Sequence, residues 1–481
     1  MVRRVDGERT DRTVNTDRTR PPAPVDVAAG TIPYCDPEAC AAAGCVPTVC
    51  TGAGVRSNSR LFERSQRAIP GGVNSSIRAF RSVGGEPYVV ARASGATITD
   101  VEGTTHLDLV QSYGAVILGH GHPAVTAAVA TAAADGTSYG APTPREMKLA
   151  EAIRERVHSC ELVRLMNSGT EATSTAIRLA RGVTGRDRIV TFAGNFHGAT
   201  DALLVAGGSG VATLGLPGTA GVPDAAVSET LVAPYNVVPS LDEHTAAVIV
   251  EPIAANMGVV APDREFLTGL RAECDRVGAL LIFDEVITGF RIGTGGAQAR
   301  YDVTPDITCF GKVIGGGLPI GAVGGRRDVM EHLSPLGPVF HAGTLSGNPL
   351  ATAAGLAALD QLHPDVYIEL MARARHLSSL LRDACAAAGF VASFPVVGTL
   401  LGIVCGDGVD NVRDFDDAKR TDEAAYAAFF RAMLDEGVAM APGAYEAIFV
   451  GVAHDDAVVA EIGERAHRAA ARAVADLERR E

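Results

Sequence analysis

The chain has 481 residues, 47% of them hydrophobic and 20% charged, and a formal charge of −14. That much apolar material can fill a large core across two or three domains, and the acidic balance argues against nucleic acid as a partner. No apolar signal core follows Arg3 and Arg4, and Glu251 interrupts the longest apolar run, near 246–260. Neither secretion nor a membrane span is therefore expected, and the chain reads as cytoplasmic.

Residues 1–54 are rich in Arg, Thr, Pro and Ala without sustained periodicity, and read as a Cys-bearing extension that is flexible. Cys35, Cys40, Cys45 and Cys50 recur with four residues between neighbours, a spacing that only grazes that of zinc-ligand pairs. On a helix each five-residue step would turn the next thiol by about 140°, so no single face would carry them. A metal or redox role stays as the alternative, and no metal is assigned. Cys160, Cys274, Cys309, Cys385 and Cys405 lie in apolar segments and read as reduced core residues.

Order is expected from Val55. An N-terminal segment, 55–115, should hold a short helix over 61–69, stopped by Pro70-Gly71-Gly72. A small sheet should follow, from pieces such as Tyr88-Val89-Val90 and Ala96-Thr97-Ile98 set between glycines. A large domain, 116–360, alternates apolar strands with helical patterns. The runs Leu162–Met166, Arg188–Phe192, 246–250 and 279–283 are nearly all apolar, as in strands buried on both faces. Between the first two lies a helix over 171–182 with Ala172, Ala176, Leu179 and Val183 on one face. The βαβ series predicts an α/β fold with a mostly parallel sheet. A smaller α+β domain, 361–481, should end in a helix with Val458, Ile462, Ala466, Ala473 and Leu477 aligned.

Open α/β sheets bind ligands at the carboxyl ends of their strands, and three motifs sit there. In Asn167-Ser168-Gly169-Thr170-Glu171, Ser168 and Glu171 fit a capping box. Ser168, Gly169 and Thr170 would offer N–H groups to a phosphate at the helix N-terminus; an ordinary cap is the plainer reading. Leu281-Ile282-Phe283-Asp284-Glu285-Val286 is an apolar strand ending in carboxylates. Such a carboxylate can hold a protonated ring nitrogen, or simply cap the next helix. Lys312, one of three lysines in the chain, lies in the glycine-rich segment after Phe310. A desolvated lysine can attack a carbonyl, which arginine cannot. Phosphate cradle, ring-nitrogen carboxylate and secluded lysine together fit pyridoxal phosphate.

From about Leu61 onward, the chain resembles the glutamate-1-semialdehyde 2,1-aminomutase family within the class III pyridoxal-phosphate aminotransferases. The resemblance is carried by LFERSQRAIPGGVNSSIRAF, MNSGTEATSTAIRLARGVTGRDRI, GSGVATLGLPGTAGVP, LLIFDEVITGFR, GKVIGGGLPIGAVGGRRDVM and AGTLSGNPLA, in that order. It implies fold-type I, a large cofactor domain plus a smaller C-terminal one, and a homodimer with shared active sites. It implies that catalytic Lys312 holds the cofactor covalently, that Asp284 pairs with its ring nitrogen, and that Ser168, Gly169 and Thr170 hold its phosphate. Phe196 would stack on the ring, with His197 beside it and Asn256 near the phenolic oxygen. Gly343-Thr344 would reach the phosphate of the partner subunit. Ser75, Arg78, Ser209 and Glu446 would bind the amino-aldehyde substrate, and the glycine-dense segment 207–223 would act as a lid. The implied reaction converts glutamate-1-semialdehyde into 5-aminolevulinate, the tetrapyrrole precursor, through the pyridoxamine phosphate form of the cofactor.

Some positions depart from the family. Phe196-His197-Gly198-Ala199 stands where Tyr-His-Gly-His is usual, Phe340-His341 where Tyr-Gln is usual, and Gly443 where a serine is usual. These changes remove polar groups where specificity is set. They keep open a class III aminotransferase or aminomutase of specialised metabolism, acting on another amine or aldehyde, free or carried on a peptide. A non-catalytic binding protein is the third reading, which Lys312 and Asp284 argue against.

Overall fold

The computed structural model describes residues 57–205, 219–408 and 411–479. The cysteine tail and most of the expected lid, including Ser209, lie outside the described residues. The first helix is Asn58–Ala68, which starts before the expected Leu61 because Ser57 provides a side-chain cap. Asn58 also reaches across, with Nδ2 donating to Asp100 at 2.9 Å and Oδ1 accepting from Val89 N–H at 2.7 Å. That bond takes the Val89 donor, and the ladder begins at Val90, two residues later than Tyr88-Val89-Val90 suggested. The strands are β1 (Val90–Ser94), β2 (Thr97–Asp100) and β3 (Thr105–Asp108).

The large sheet is built from β4 (Leu162–Met166), β5 (Arg188–Phe192), β6 (Thr230–Ala233), β7 (Thr245–Val250), β8 (Leu280–Asp284), β9 (Ile307–Phe310) and β10 (Gly321–Gly325). Its order is β4-β10-β9-β8-β7-β5-β6. Every residue of β7, β8 and β9 is buried, because helices cover both faces and leave no solvated side for an alternating pattern. Only β10 runs against its neighbours β4 and β9; the remaining pairs are parallel. Since β10 opposes both, β4 points the same way as β9. Six strands, β4, β5, β6, β7, β8 and β9, therefore end on one edge. The helix Gly169–Thr184 packs Ala172, Ala176 and Leu179 onto the sheet and ends at left-handed Gly185.

The C-terminal part carries short strands β11 (Ala392–Ser393), β12 (Val396–Val397), β13 (Leu400–Leu401), β14 (Val404–Cys405), β15 (Val438–Ala439) and β16 (Ile448–Phe449). They accompany four described helices, Pro364–Ala388, Phe415–Ala418, Glu423–Asp435 and Asp456–Glu478. The last buries Val459, Ile462, Ala466, Ala470 and Ala473 along one stripe. β15 pairs in parallel with β3, so the N-terminal sheet is completed by a strand from the far end of the chain. Cys160, Cys274, Cys309, Cys385 and Cys405 are free and buried. No helix among the described residues is long and apolar enough to cross a membrane.

Candidate active site

The shared carboxyl edge of the six strands opens on a cavity of about 220 Å³, and all but β6 deliver part of its lining. After β4 the chain turns at Ser168, whose hydroxyl accepts from Glu171 N–H at 3.2 Å. The N–H groups of Gly169 and Thr170, in the first helical turn, have no intrahelical acceptor and face the positive end of the dipole. The capping box is only half formed. The Glu171 carboxylate turns instead to Asn167, which offers both its backbone N–H, at 3.0 Å, and its side-chain amide.

Beyond β5, Gly198 folds back over this turn. Its φ is 80°, and a Cβ there would stand 2.4 Å from Thr170 Oγ1 and 2.7 Å from Thr170 Cα, so only glycine fits. The fold-back brings Phe196 and His197 into the lining. Beyond β7 come Glu251 and Asn256, both buried. Glu251 is hydrogen-bonded three ways: Oε1 accepts from Phe196 N–H at 2.6 Å and Asn256 Nδ2 at 2.9 Å, and Oε2 accepts from Ala255 N–H at 3.0 Å.

The two carboxylates that end β8 separate. Asp284 faces the cavity, 2.7 Å from His197 Nδ1, and also accepts from Val286 N–H at 3.1 Å. Glu285 points away, into a fully buried cap formed with Ala297 N–H, Gln298 and Thr288. Period-two alternation at a strand end assigns opposite faces to neighbours, so one acid serves the cavity and the other the fold. Beyond β9 lies Lys312 in a left-handed conformation, φ 48°.

Burial is the largest influence on the Lys312 amine and lowers its pKa, while Glu446, Glu251 and Asp284 act in the opposite sense. Burial likewise pushes Glu251 up to about 7, with Asp284 acting the same way and His197 against it. His197 Nε2 is buried without a partner among the described residues. The set matches the cofactor expected from the sequence: anion donors at one end, an oriented carboxylate at the other, and a desolvated amine between. A larger cavity, about 420 Å³, is lined by 115–122 and mostly apolar neighbours, with neither lysine nor carboxylate. Chemistry belongs to the smaller one.

Thus Gly169, Thr170, Phe196, His197, Asn256, Asp284 and Lys312 line one cavity, with Ser168 capping the helix behind it. Ser75 and Arg78 sit on an exposed turn outside that lining. Glu446 is near enough to influence both Lys312 and the Tyr113 phenol, which Arg78 also influences. Thr344 is not in the cavity; it lies on an exposed stretch with Phe340 and Leu345. Glu251, which lines the cavity, was not anticipated as a site residue, and neither was Tyr113, which lies outside that lining. For Glu251 the signal was present, an ionisable residue directly after an apolar strand, as at Asp284.

The family model for Aminotransferase class-III matches residues 80–453. The glutamate-1-semialdehyde 2,1-aminomutase of Nitratidesulfovibrio vulgaris (strain Miyazaki F) is 50% identical over 412 residues, 84% of this chain and 96% of that relative. The enzyme of the same name from Bordetella avium is 51% identical over 410 residues, again 84% and 96%. Among solved structures, an omega-transaminase from Sphaerobacter thermophilus is similar, with a TM-score of 0.79 and 31% identity over 88% of this chain and 99% of that one.

Proposed function

The chain belongs to the class-III aminotransferases, and from that premise we propose that it is a pyridoxal-phosphate-dependent aminomutase. It converts glutamate-1-semialdehyde into 5-aminolevulinate by moving an amino group between adjacent carbons of one molecule. The observation that carries this reading is the meeting of Lys312, Asp284 with His197, and the Gly169–Thr184 helix N-terminus in one cavity. About 50% identity to relatives of that name supports the substrate.

When bound, the cofactor accepts and returns the amino group and delocalises the electrons released when a neighbouring C–H bond breaks. Gly169 and Thr170 would hold its phosphate through their free N–H groups, with Ser168 beside them. Asp284, kept in orientation by His197 Nδ1, would favour a protonated ring nitrogen. Asn256, tied to Glu251, would meet the phenolic oxygen, and Phe196 would cover one face. Lys312 Nζ, whose burial favours the neutral amine, removes a proton at one substrate carbon and returns it at the next. Arg78 and Ser75 would bind the substrate carboxylate, joined by Ser209 from the lid, with Glu446 opposite.

The enzyme is a homodimer in this reading, with Thr344 completing the partner's site. Leu336 (74% exposed), Phe340 (69%) and Leu345 (51%) support it, as large apolar side chains left open in the stretch of chain that carries Thr344. The five buried, reduced cysteines support a cytoplasmic setting. A second reading, transamination of another amine or aldehyde, draws on Phe196 at the cavity, 38% exposed and without a hydroxyl, and on Ala199 and Gly443.

One assay decides between them. Incubation with glutamate-1-semialdehyde and no other amine should yield 5-aminolevulinate. Strict dependence on an added amino donor, with no isomer formed in its absence, would replace the mutase with the transaminase.

A further inference from the structure

Three consecutive non-glycine residues, Gln111 (φ 46°), Ser112 (52°) and Tyr113 (54°), are left-handed and run into Gly114 at 90°. Each bears a steric cost that an L-residue avoids elsewhere, so such a run persists only where its surroundings over-determine it. Two side chains do so. Asp108 holds the entry: its carboxylate accepts from Val110 N–H at 2.8 Å and Gln111 N–H at 3.1 Å, and its carbonyl accepts from Gln111 Nε2 at 3.0 Å.

Arg291 holds the exit. Its Nη2 and Nε donate to the Gly114 carbonyl at 2.7 and 3.3 Å, its Nη1 donates to the Val450 carbonyl at 3.3 Å, and the guanidinium lies 5.2 Å from the Phe449 ring centroid. Arg291 is 0% exposed and forms no ion pair among the described residues. A buried cation held by carbonyls and one aromatic ring, without a counter-ion among the described residues, is a costly way to stabilise a fold, and an apolar side chain would pack more favourably. The geometry it enforces supplies the reason.

The turn presents Tyr113. Burial and Glu446 hold its phenol well above the ordinary value, while Arg78 works against them. The hydroxyl therefore stays a donor, placed near Glu446, which also influences Lys312.

We propose that Arg291 is a positioning residue: it clamps the left-handed turn 111–114 so that the Tyr113 hydroxyl is fixed as a specificity-determining donor to the oxygen-bearing end of the substrate. The inference rests on the reading of Arg78 and Glu446 as substrate groups.

The test is a double-mutant cycle on the holoenzyme with glutamate-1-semialdehyde. Tyr113→Phe should raise KM about tenfold with little change in kcat, as expected when one hydrogen bond to substrate is lost. Arg291→Lys keeps the charge but loses the fork, and should raise KM by a similar factor. Because both act through one contact, the double variant should again show about tenfold, not about a hundredfold. A general loss of structure would not produce that saturation.

A second readout does not depend on turnover. The chain contains no tryptophan, so Tyr113→Trp places a single indole on the turn. Adding Arg291→Lys should raise acrylamide quenching of that indole about twofold or more as the turn loosens. If Arg291→Lys does not accumulate folded, Phe449→Leu, which removes the ring beneath the guanidinium, takes its place. Multiplicative effects on KM, or quenching left unchanged, would overturn the proposal. A wild-type enzyme that fails to isomerise the aldehyde would instead refute the functional reading, and quenching would still decide the clamp.

Discussion

The two ends of β9 hold buried charge in opposite ways. At its amino end, Asp306 is 3% exposed and its bonding is saturated. Arg271 reaches it at 2.8 Å, Arg326 at 2.6 Å, and Leu281 N–H donates at 2.8 Å. At the carboxyl end, Lys312 forms no ion pair among the described residues, and Asp284 and Glu251 have no arginine partner there. Full compensation locks the amino end. At the carboxyl end the charges are desolvated and under-compensated, which lowers the Lys312 amine and raises the Glu251 carboxyl. The same strand thus separates stabilising electrostatics from reactive electrostatics.

Substitutions at each end should break this symmetry in opposite directions. Lys312→Ala should reduce turnover at least about a thousandfold, because covalent attachment and proton transfer are lost together. Its unfolding midpoint should match wild type or exceed it, since a desolvated amine is removed. An intact rate in that variant would end the assignment. Asp306→Ala should do the reverse, costing about 3 kcal/mol of stability because Arg271 and Leu281 N–H lose their buried partner. Denaturant titration reads that loss, and kcat of the folded fraction should stay within about twofold of wild type.

This contrast also marks what the sequence made legible. Apolar runs ending in Ser168, Asp284 or Lys312 announced a parallel sheet and its reactive edge, since strands buried on both faces admit few polar residues except at their ends. The family motifs extended this to Phe196 and Asn256. Glu251 carried the same signal, yet it read as a break in an apolar run, because nothing local says which strand-end acids share a cavity. That depends on strand order, and β7 lies beside β8 only after a crossover. Arg291 and the left-handed turn were not legible either. Their partners stand 177 and 159 residues away along the chain, in Gly114 and Val450. Glu171 and Ser168 matched a capping box by spacing, but Asn167 competed for the carboxylate, which a spacing rule does not weigh.

Glu251 sharpens the comparison through pH. Its folded value, about 7, lies above the ordinary 4.5, so the protonated form is favoured on folding. The contribution is present below about pH 4.5 and is lost as pH rises through about 7. The unfolding free energy of cofactor-free wild type, minus that of Glu251→Gln, should fall by up to about 3 kcal/mol between those limits. A difference that stays flat between those limits would take Glu251 out of the electrostatics of the reactive end.

The smallest effect tests whether a helix cap at the reactive edge does more than cap. Ser168 accepts from Glu171 N–H at the start of Gly169–Thr184, and Asp422 accepts from Ala424 and Ala425 N–H, both at 2.9 Å, at the start of Glu423–Asp435. Either substitution by alanine should cost about 1 kcal/mol of stability, the usual loss for a side-chain cap. Only Ser168→Ala should also weaken binding of pyridoxal phosphate, by roughly three- to tenfold, because its hydroxyl and the Gly169 and Thr170 N–H groups would share one anion. Equilibrium titration of each apoprotein with the cofactor measures the second effect, and thermal unfolding the first. Equal cofactor affinity in the two variants would reduce Ser168 to an ordinary cap and leave the phosphate to the backbone of Gly169 and Thr170 alone.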